Sequence, residues 1–363
     1  MIQLIFSLLI LFLVQCSFFP GETTNVKVNL GDELNTRIKE SYDVPKDVKV
    51  YFATNRLTTS NTPGCSNNYY TTKLDSETRF GNCTINVPPI REIGDIEVIG
   101  TDIEKQFVFR DHKNLPKETL LSQIKDNSFP EVILFVHGFN VKFEEAVLRA
   151  SQIKYDLKFP GEVLLFTWPS GAEEGILSNV LMNQTYKNNF TSAKGSVGAF
   201  KQILSGLKST GKKIHLIVHS MGHQVALNAV GEFQVETKEK KFIQEMILNA
   251  PDFESLEFAL LIPKLRDASE RITVYCSPGD TALIVSAKVN SNKRVGSCEN
   301  LRDADVDVIN VNEIDTSILG HGYYASRPII TDLYQLILGV KVERRLFIRK
   351  ASNNNSEKYV LRK

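Results

Sequence analysis

The chain has 363 residues, of which 23 % are charged and 42 % are hydrophobic, and its formal net charge is +1. These proportions are ordinary for a soluble globular protein, and the length suits one large decorated domain or two domains. The chain has no block of basic residues, which argues against a nucleic acid partner. It also has no Cys/His spacing typical of a zinc site, so we expect neither a metal nor another cofactor.

The first 17 residues have the character of a signal peptide. Residues 4–14 are apolar, which is the length of a signal-peptide core, and cleavage near Cys16 or Ser17 is predicted. This favours a secreted or lumenal protein. The alternative is an uncleaved membrane anchor, because Phe18 and Phe19 bring the apolar run close to the ~18 residues that can span a bilayer. Residues 20–44 are polar, and the segment 18–44 is predicted to be loosely ordered.

Four cysteines lie beyond the predicted signal peptide, and an even number is typical of disulfides in an oxidising compartment. Three pairings are possible, of which the local one, Cys65–Cys83 with Cys276–Cys298, is the simplest. The alternative is four buried thiols. In a secretory context the N-glycosylation triplets also predict a glycoprotein. These triplets begin at Asn82, Asn183, Asn189 and Asn354.

Hydrophobic periodicity predicts the organisation of the rest of the chain. Residues 45–110 contain short strand-like runs and turns, and suggest a small β-rich N-terminal extension packed on the core. From residue 131 strands and helices alternate, which predicts an α/β domain over 45–340 with a mostly parallel central sheet and helices on both faces. Residues 171–192 form an unusually long connection after Trp168 and are expected to shape the pocket entrance. Residues 341–363 are predicted to be a polar C-terminal tail.

The predicted elements follow in chain order. Strands are expected near 132–137, 162–167, 213–219, 244–249, 271–277 and 305–311. Helices are expected near 143–157, 193–208, 221–233, 254–266, 280–288 and 327–338.

The first chemical motif follows the strand at 132–136. This continuous apolar run is typical of a strand buried on both faces, and it ends in His137-Gly138. Acyl transfer needs two backbone N–H groups aimed at the oxygen that becomes negative, and Gly138 lets the backbone approach a substrate. We therefore predict that the N–H of Phe139 forms half of an oxyanion hole. The alternative is a simple turn after a strand.

The second motif is the apolar run at 214–218 followed by His219, Ser220, Met221 and Gly222. A serine between a strand and a helix, with a glycine two residues later, is typical of a nucleophile elbow. Val218 stands where the usual pattern has its first glycine, so the match is partial. We predict Ser220 as the nucleophile and the N–H of Met221 as the second oxyanion donor. The alternative is a buried serine at a helix N-cap.

Two acids compete for the third role. Asp280 follows the strand near 271–277, and a carboxylate there could hold the histidine tautomer of a catalytic triad. Its alternative role is N-cap of the helix that starts near Thr281. Asp252, at the end of the preceding strand, is the rival. We favour Asp280.

The histidine is predicted by elimination. Of the six histidines, only His321 lies downstream of both acids in a glycine-flanked loop. The resulting order, Ser220, Asp280 and His321, is the order expected in an α/β hydrolase.

An ordered set of motifs resembles those of the alpha/beta hydrolases of unknown function (the domain-of-unknown-function nine-hundred family), from about Val48 to about Ile337. The motifs are Val50-Tyr51-Phe52-Ala53-Thr54-Asn55-Arg56, Phe80-Gly81, Val87-Pro88-Pro89, Ile93-Gly94-Asp95, His137-Gly138-Phe139-Asn140, Phe166-Thr167-Trp168-Pro169-Ser170, His219-Ser220-Met221-Gly222, Asn249-Ala250-Pro251-Asp252 and Ser277-Pro278-Gly279-Asp280-Thr281-Ala282-Leu283. The resemblance implies an alpha/beta hydrolase fold with the triad Ser220, Asp280 and His321. It implies no defined substrate.

The sequence therefore predicts a secreted or lumenal serine hydrolase that cleaves an ester or related acyl bond in a small-molecule substrate. A different class is a catalytically inactive hydrolase fold that serves as a binding module, since fold alone does not determine function. A dehalogenase is less favoured, because the elbow carries serine where that chemistry requires aspartate. Membrane contact is expected only through an uncleaved N-terminal segment.

Overall fold

The structure is a computed structural model that describes residues 45–89, 91–96, 100–172, 179–299, 301, 306–314, 321–351 and 358–362. The predicted signal peptide and the segment 18–44 lie outside these residues. Within the described ranges, no helix has both the length and the hydropathy needed to cross a bilayer.

Eleven strands of the described residues form one sheet, in the order β10-β11-β9-β8-β7-β6-β4-β5-β1-β2-β3. The strands are β1 (Lys46–Thr58), β2 (Tyr70–Val87), β3 (Val108–Asn114), β4 (Glu131–Val136), β5 (Glu162–Thr167), β6 (Lys213–His219), β7 (Ile243–Asn249), β8 (Ser269–Cys276), β9 (Val306–Asn310), β10 (Ile348–Lys350) and β11 (Tyr359–Leu361). The run from β1 to β9 through β5, β4, β6, β7 and β8 is parallel, so the prediction of a mostly parallel sheet is confirmed.

Helices cover both faces of this sheet. The eight α-helices of the described part are α1 (Lys117–Asp126), α2 (Phe143–Asp156), α3 (Asn179–Gly195), α4 (Val197–Ser209), α5 (His223–Thr237), α6 (Ser255–Ala268), α7 (Thr281–Asn290) and α8 (Arg327–Ile337). Side chains of β4 alternate between two cores: Val132, Leu134 and Val136 pack with α4, α5 and α6, whereas Ile133 and Phe135 pack with α2 and α8. Burial on both faces explains why β4 is a continuous apolar run.

The strand order reverses at β4, and this reversal places the site. The chain runs from β4 to β5 on one side, then crosses to β6 on the other side of β4. In open α/β sheets, ligands bind in the crevice at the carboxyl ends of the strands where the order reverses. His137 and Ser220, which directly follow β4 and β6, both lie at that edge.

The predicted β-rich extension is a continuation of the central sheet. β1 pairs in parallel with β5, with Tyr51 opposite Leu164, and β2 and β3 add antiparallel strands beyond it. Most of β1 is buried, as expected of an inner strand. The three strands β1, β2 and β3 of the predicted extension therefore lengthen the central sheet at its edge.

The predicted long connection over residues 171–192 was wrong in its second half, where the chain forms α3. Its buried positions Thr185, Asn189 and Ala193 follow helical i, i+4 spacing, but two of the three are polar. A hydrophobic pattern therefore could not reveal the helix. α1 was also missed, because only Leu120 and Ile124 mark its buried face.

Residues 341–363 were predicted to be a polar tail, yet within the described part they add β10 and β11 to the sheet edge. β11 pairs in parallel with β9, and the side chains of Tyr359 and Leu361 are buried there. Two apolar residues two positions apart are enough to seat one face of a short strand, but too few to predict one.

Both local disulfides are present in the structure. Cys65–Cys83 joins the segment after β1 to the last third of β2, and Cys276–Cys298 joins the end of β8 to the loop after α7. This pairing was the simplest of the three alternatives, and it leaves none of these four cysteines as an unpaired thiol in the structure.

Two of the glycosylation triplets fall on buried asparagines. Asn82 in β2 and Asn189 in α3 are 5 % and 4 % exposed, whereas Asn183 is exposed on α3. Asn354 lies outside the described residues. An attached glycan needs solvent, so among the described triplets only the one at Asn183 is accessible in the folded protein.

Candidate active site

Ser220 occupies a sharp turn between β6 and α5. Its backbone φ is +50°, in the left-handed region that side-chain-bearing residues rarely adopt. The turn lies close to the end of β4: a Cβ on Gly222 would lie 2.4 Å from the carbonyl oxygen of His137, so only glycine fits. Residues Ser220–Gly222 form a short 3₁₀ turn, and Gly222 rather than Ser220 is the N-cap of α5. The N-cap alternative for Ser220 is therefore excluded.

His321 joins the serine to an acid. Its Nε2 lies 2.8 Å from the Oγ of Ser220, and its Nδ1 lies 2.6 Å from the Oδ2 of Asp280. The side chain of His321 is 18 % exposed and that of Asp280 is fully buried. The structure thus brings the three predicted residues into one hydrogen-bonded line, although they are separated by up to 101 positions.

Asp280 makes a contact that suits each of the two roles weighed for it. Its Oδ1 accepts a hydrogen bond from the N–H of Leu283 at 3.0 Å and caps α7, while its Oδ2 contacts His321. The two readings are compatible because a carboxylate has two oxygens, each able to accept hydrogen bonds. Capping also fixes the rotamer of the side chain, so the oxygen that faces the imidazole is held in place.

Asp252 lies in a different network. It accepts hydrogen bonds from Ser286 at 2.5 Å and Tyr186 at 2.9 Å, and it forms an ion pair with buried Arg294 at 3.2 Å. The backbone N–H of Asp252 also contacts the carbonyl oxygen of Ser220 at 3.3 Å. The side chain of Asp252 is therefore held by Arg294, Ser286 and Tyr186, and its backbone supports the turn that carries Ser220.

The turn after β4 lies against the nucleophile. A Cβ on Gly138 would lie 2.8 Å from the Cβ of Ser220 and 2.8 Å from Nδ1 of His219. The peptide that joins Gly138 to Phe139 is therefore adjacent to Ser220, and Met221 directly follows it. Both predicted oxyanion donors are thus carried by backbone that borders the serine.

Two side chains not predicted from the sequence hold this turn in place. Asn189 on α3 accepts hydrogen bonds through Oδ1 from Ser170 at 2.8 Å, from the N–H of Gly171 at 3.0 Å and from the N–H of Asn140 at 3.3 Å. Ser170 in turn accepts from the N–H of Val141 at 3.2 Å. The buried Asn189 on α3 therefore fixes the loop that carries Phe139.

Three buried histidines near the site are neutral at physiological pH. Burial lowers the pKa of His137 and of His223 to about 3. Burial, and then repulsion from His321, hold the pKa of His219 well below its ordinary value. Tyr324 stacks on the His219 ring with centroids 3.7 Å apart, and the His219 ring lies 5.1 Å from that of His321. These rings therefore build the wall of the site without placing charge beside His321.

Trp168, which precedes the connection predicted to shape the pocket entrance, lies inside the protein. Its side chain is fully buried, its Nε1 donates to the carbonyl oxygen of His137 at 2.9 Å, and its ring stacks on His137. A cleft of about 260 Å³ lies beside His137 and Tyr324. It is lined by Ile96, His137, Val141, Glu145, Leu148, Arg149 and Tyr324.

A serine on a strained strand-to-helix turn, followed in chain order by an acid and a histidine at the carboxyl edge of a mostly parallel sheet, defines an alpha/beta hydrolase architecture. The chain belongs to the family of alpha/beta hydrolases of unknown function (DUF900), whose family model matches residues 113–340. The recognised family is therefore confirmed, although the motifs between residues 50 and 95 lie before the matched range. No curated protein matches the chain.

Proposed function

We propose that this protein is a serine hydrolase that cleaves an ester or related acyl bond. The observation that supports this most strongly is the double contact of His321, at 2.8 Å to the Oγ of Ser220 and 2.6 Å to the Oδ2 of Asp280. A nucleophile within hydrogen-bond reach of a base, with the base oriented by a third group, is the arrangement that acyl transfer by serine requires.

The proposed reaction has two halves. The Oγ of Ser220 attacks the substrate carbonyl carbon while Nε2 of His321 takes the serine proton, and the same proton then passes to the leaving alcohol. His321 next takes a proton from water, whose oxygen attacks the acyl-enzyme; the bond to Oγ breaks, His321 returns the proton to Ser220, and the acid leaves. Asp280 accepts the hydrogen bond from Nδ1–H of His321 and stabilises the imidazolium in both halves.

The oxyanion is proposed to bind to the backbone N–H groups of Met221 and Phe139. Both N–H groups are carried by backbone next to Ser220. A side chain at position 138 would collide with Ser220, so glycine at this position keeps the approach to the serine open. Such fixed donors stabilise charge that develops in the transition state, and removing one typically costs about 10²–10³-fold in rate.

A fluorophosphonate probe tests the proposal. We expect a covalent adduct on Ser220, located by peptide mass spectrometry, and competition for labelling by p-nitrophenyl esters of graded acyl length. A binding module with an inactive hydrolase fold would leave the probe unreacted. The series of esters would also give the acyl-chain preference.

We further propose that the protein is exported, on the strength of the apolar N-terminus and the two disulfides. In native protein we expect no free thiol and a mature N-terminus near residue 17 or 18. The disulfides close loops with separations of 18 and 22 residues. In the chain-entropy model each such loop adds roughly 3 kcal/mol to the free energy of unfolding, so reduction should lower the melting temperature.

Alkylation without prior reduction, followed by mass spectrometry, checks this prediction. Four alkylated cysteines in a chain that keeps Met1 would contradict export. Intact disulfides in a chain that keeps Met1 would instead support the membrane-anchor alternative.

A further inference from the structure

Arg56 is a fully buried cation that the proposed reaction does not use. It lies on β1, and its Nη1 and Nη2 donate to the carbonyl oxygens of Ser170 at 2.8 Å and Val141 at 2.9 Å, in the loops after β5 and β4 that Asn189 also contacts. Burial lowers the pKa of its guanidinium to about 9, so it remains charged at neutral pH. A charge in this position is costly, which suggests that its hydrogen bonds have a specific task.

Arg56 also approaches His137 directly, since the arginine Nη2 lies 3.4 Å from the histidine Nε2. The Nε of Arg56 donates to Oγ1 of Thr167 at 3.0 Å, and the same Oγ1 lies 3.1 Å from Nε2 of His137. Because Oγ1 of Thr167 already accepts a hydrogen bond from arginine, its own hydroxyl hydrogen is free to be donated to the histidine nitrogen.

The contact of the second ring nitrogen, Nδ1 of His137, determines which nitrogen donates and which accepts. Its Nδ1 lies 2.9 Å from the carbonyl oxygen of Gly138, which can only accept. The neutral ring therefore carries its hydrogen on Nδ1 and accepts at Nε2. Only this tautomer satisfies Thr167, His137 and Gly138 together.

Peptide geometry connects this carbonyl to the reaction. The bond between Gly138 and Phe139 is trans, so the carbonyl oxygen of Gly138 and the N–H of Phe139 belong to one planar unit and point in opposite directions. A hydrogen bond that fixes the carbonyl also fixes the direction of the N–H. It further polarises the peptide, because linked hydrogen bonds strengthen one another.

From these contacts we infer that Arg56, Thr167 and His137 form a relay of positioning residues that aims and polarises the N–H of Phe139 at the oxyanion. This inference rests on the proposed function, since it concerns one of the two proposed donors. It gives a role to the Arg56 and Thr167 motifs, which contribute no group to the triad.

The test replaces Thr167 by valine, which has the same shape but cannot pass the hydrogen bond. The matched control is Thr273→Val in β8, another fully buried threonine of the same sheet. We expect Thr167→Val to lower kcat for p-nitrophenyl butyrate about 10- to 100-fold with KM unchanged, because a misaimed donor loses part of its effect on the transition state. Binding of a trifluoromethyl ketone with the same acyl group should weaken by the same factor as kcat/KM.

A second pair of variants separates the relay from simple packing. His137→Asn keeps a donor near the Nδ1 position, whereas His137→Leu removes it. We expect the asparagine variant to retain at least about tenfold more activity than the leucine variant when both are compared at equal folded fraction. Equal activity of the two, or a Thr167→Val variant that matches Thr273→Val, would overturn the inference.

NMR of protein labelled with ¹⁵N-histidine measures the tautomer of His137 and so tests the relay independently of turnover. We expect the hydrogen of His137 on Nδ1, no titration of this ring between about pH 5 and 9, and a change of the Nε2 signal in Thr167→Val but not in Thr273→Val. A hydrogen on Nε2 would overturn the relay even in an active enzyme. A parent protein with the expected signals but no reaction with fluorophosphonate or esters would instead contradict the proposed function.

Discussion

Replacement of Ser220 by alanine is expected to abolish ester hydrolysis and fluorophosphonate labelling in a protein that remains folded. The loss should approach the roughly 10⁶-fold seen when the nucleophile of a serine triad is removed, because His321 and Asp280 then have no oxygen to activate. Alanine adopts the backbone angle of +50° no more easily than serine does, so the melting temperature should change little.

The same position offers a stability control. Ser220→Gly should also be inactive, yet it should melt above Ser220→Ala, since glycine removes strain that costs about 1–3 kcal/mol at such an angle. Ser122→Ala, at an exposed hydroxyl on α1, should keep full activity. Activity of Ser220→Ala within tenfold of the parent would exclude this serine as the nucleophile.

Replacement of Asp280 by asparagine is expected to lower turnover, whereas replacement of Asp252 is expected to lower stability. Asp280→Asn should lower kcat by roughly 10⁴-fold, because an amide facing Nδ1 favours the wrong tautomer of His321. Its effect on stability should be small, since asparagine is as good an N-cap for α7 as aspartate. Asp252→Asn should instead lower the free energy of unfolding by about 3–5 kcal/mol, because it leaves Arg294 buried without its partner.

Steady-state kinetics with thermal denaturation of both variants measures this crossed pattern. Turnover must be compared per folded molecule at a temperature well below the melting point of Asp252→Asn. If Asp252→Asn lost catalysis while Asp280→Asn lost only stability, the catalytic acid would lie on the loop after β7.

The strands that surround the site could be predicted from the sequence because they obey one simple rule. Strands such as β4 and β6 are buried on both faces, so they read as continuous apolar runs, and β6 was placed at residues 213–219 as the structure has it. Among the helices, α4 and α8 also show a clear apolar face. α3 lacks such a face, because its buried positions include the polar residues Thr185 and Asn189, and a hydropathy pattern does not identify polar residues as buried.

The candidate site also contains residues that could be predicted from the sequence and residues that could not. Ser220, Asp280 and His321 could be proposed from chain order alone, since each follows a strand that ends at the same edge of the sheet. Arg56 and Thr167 could not be placed, because their contact joins positions 111 residues apart and depends on the pairing of β1 with β5. The three residues of the proposed triad stand in local sequence motifs, whereas the contacts that support them form only after the sheet has assembled.

The buried amide of Asn189 bears on how the protein can be produced. This residue begins a glycosylation triplet, yet its Nδ2 donates to the carbonyl oxygen of Gly171 at 3.2 Å within the interior. A sugar chain attached there before folding would occupy that nitrogen and could not be accommodated inside the protein. Cells that modify nascent chains would therefore divide the product into a correctly folded fraction and a trapped, sugar-bearing fraction. A bacterial periplasm, which forms disulfides without this competition, is the more suitable compartment for recombinant expression.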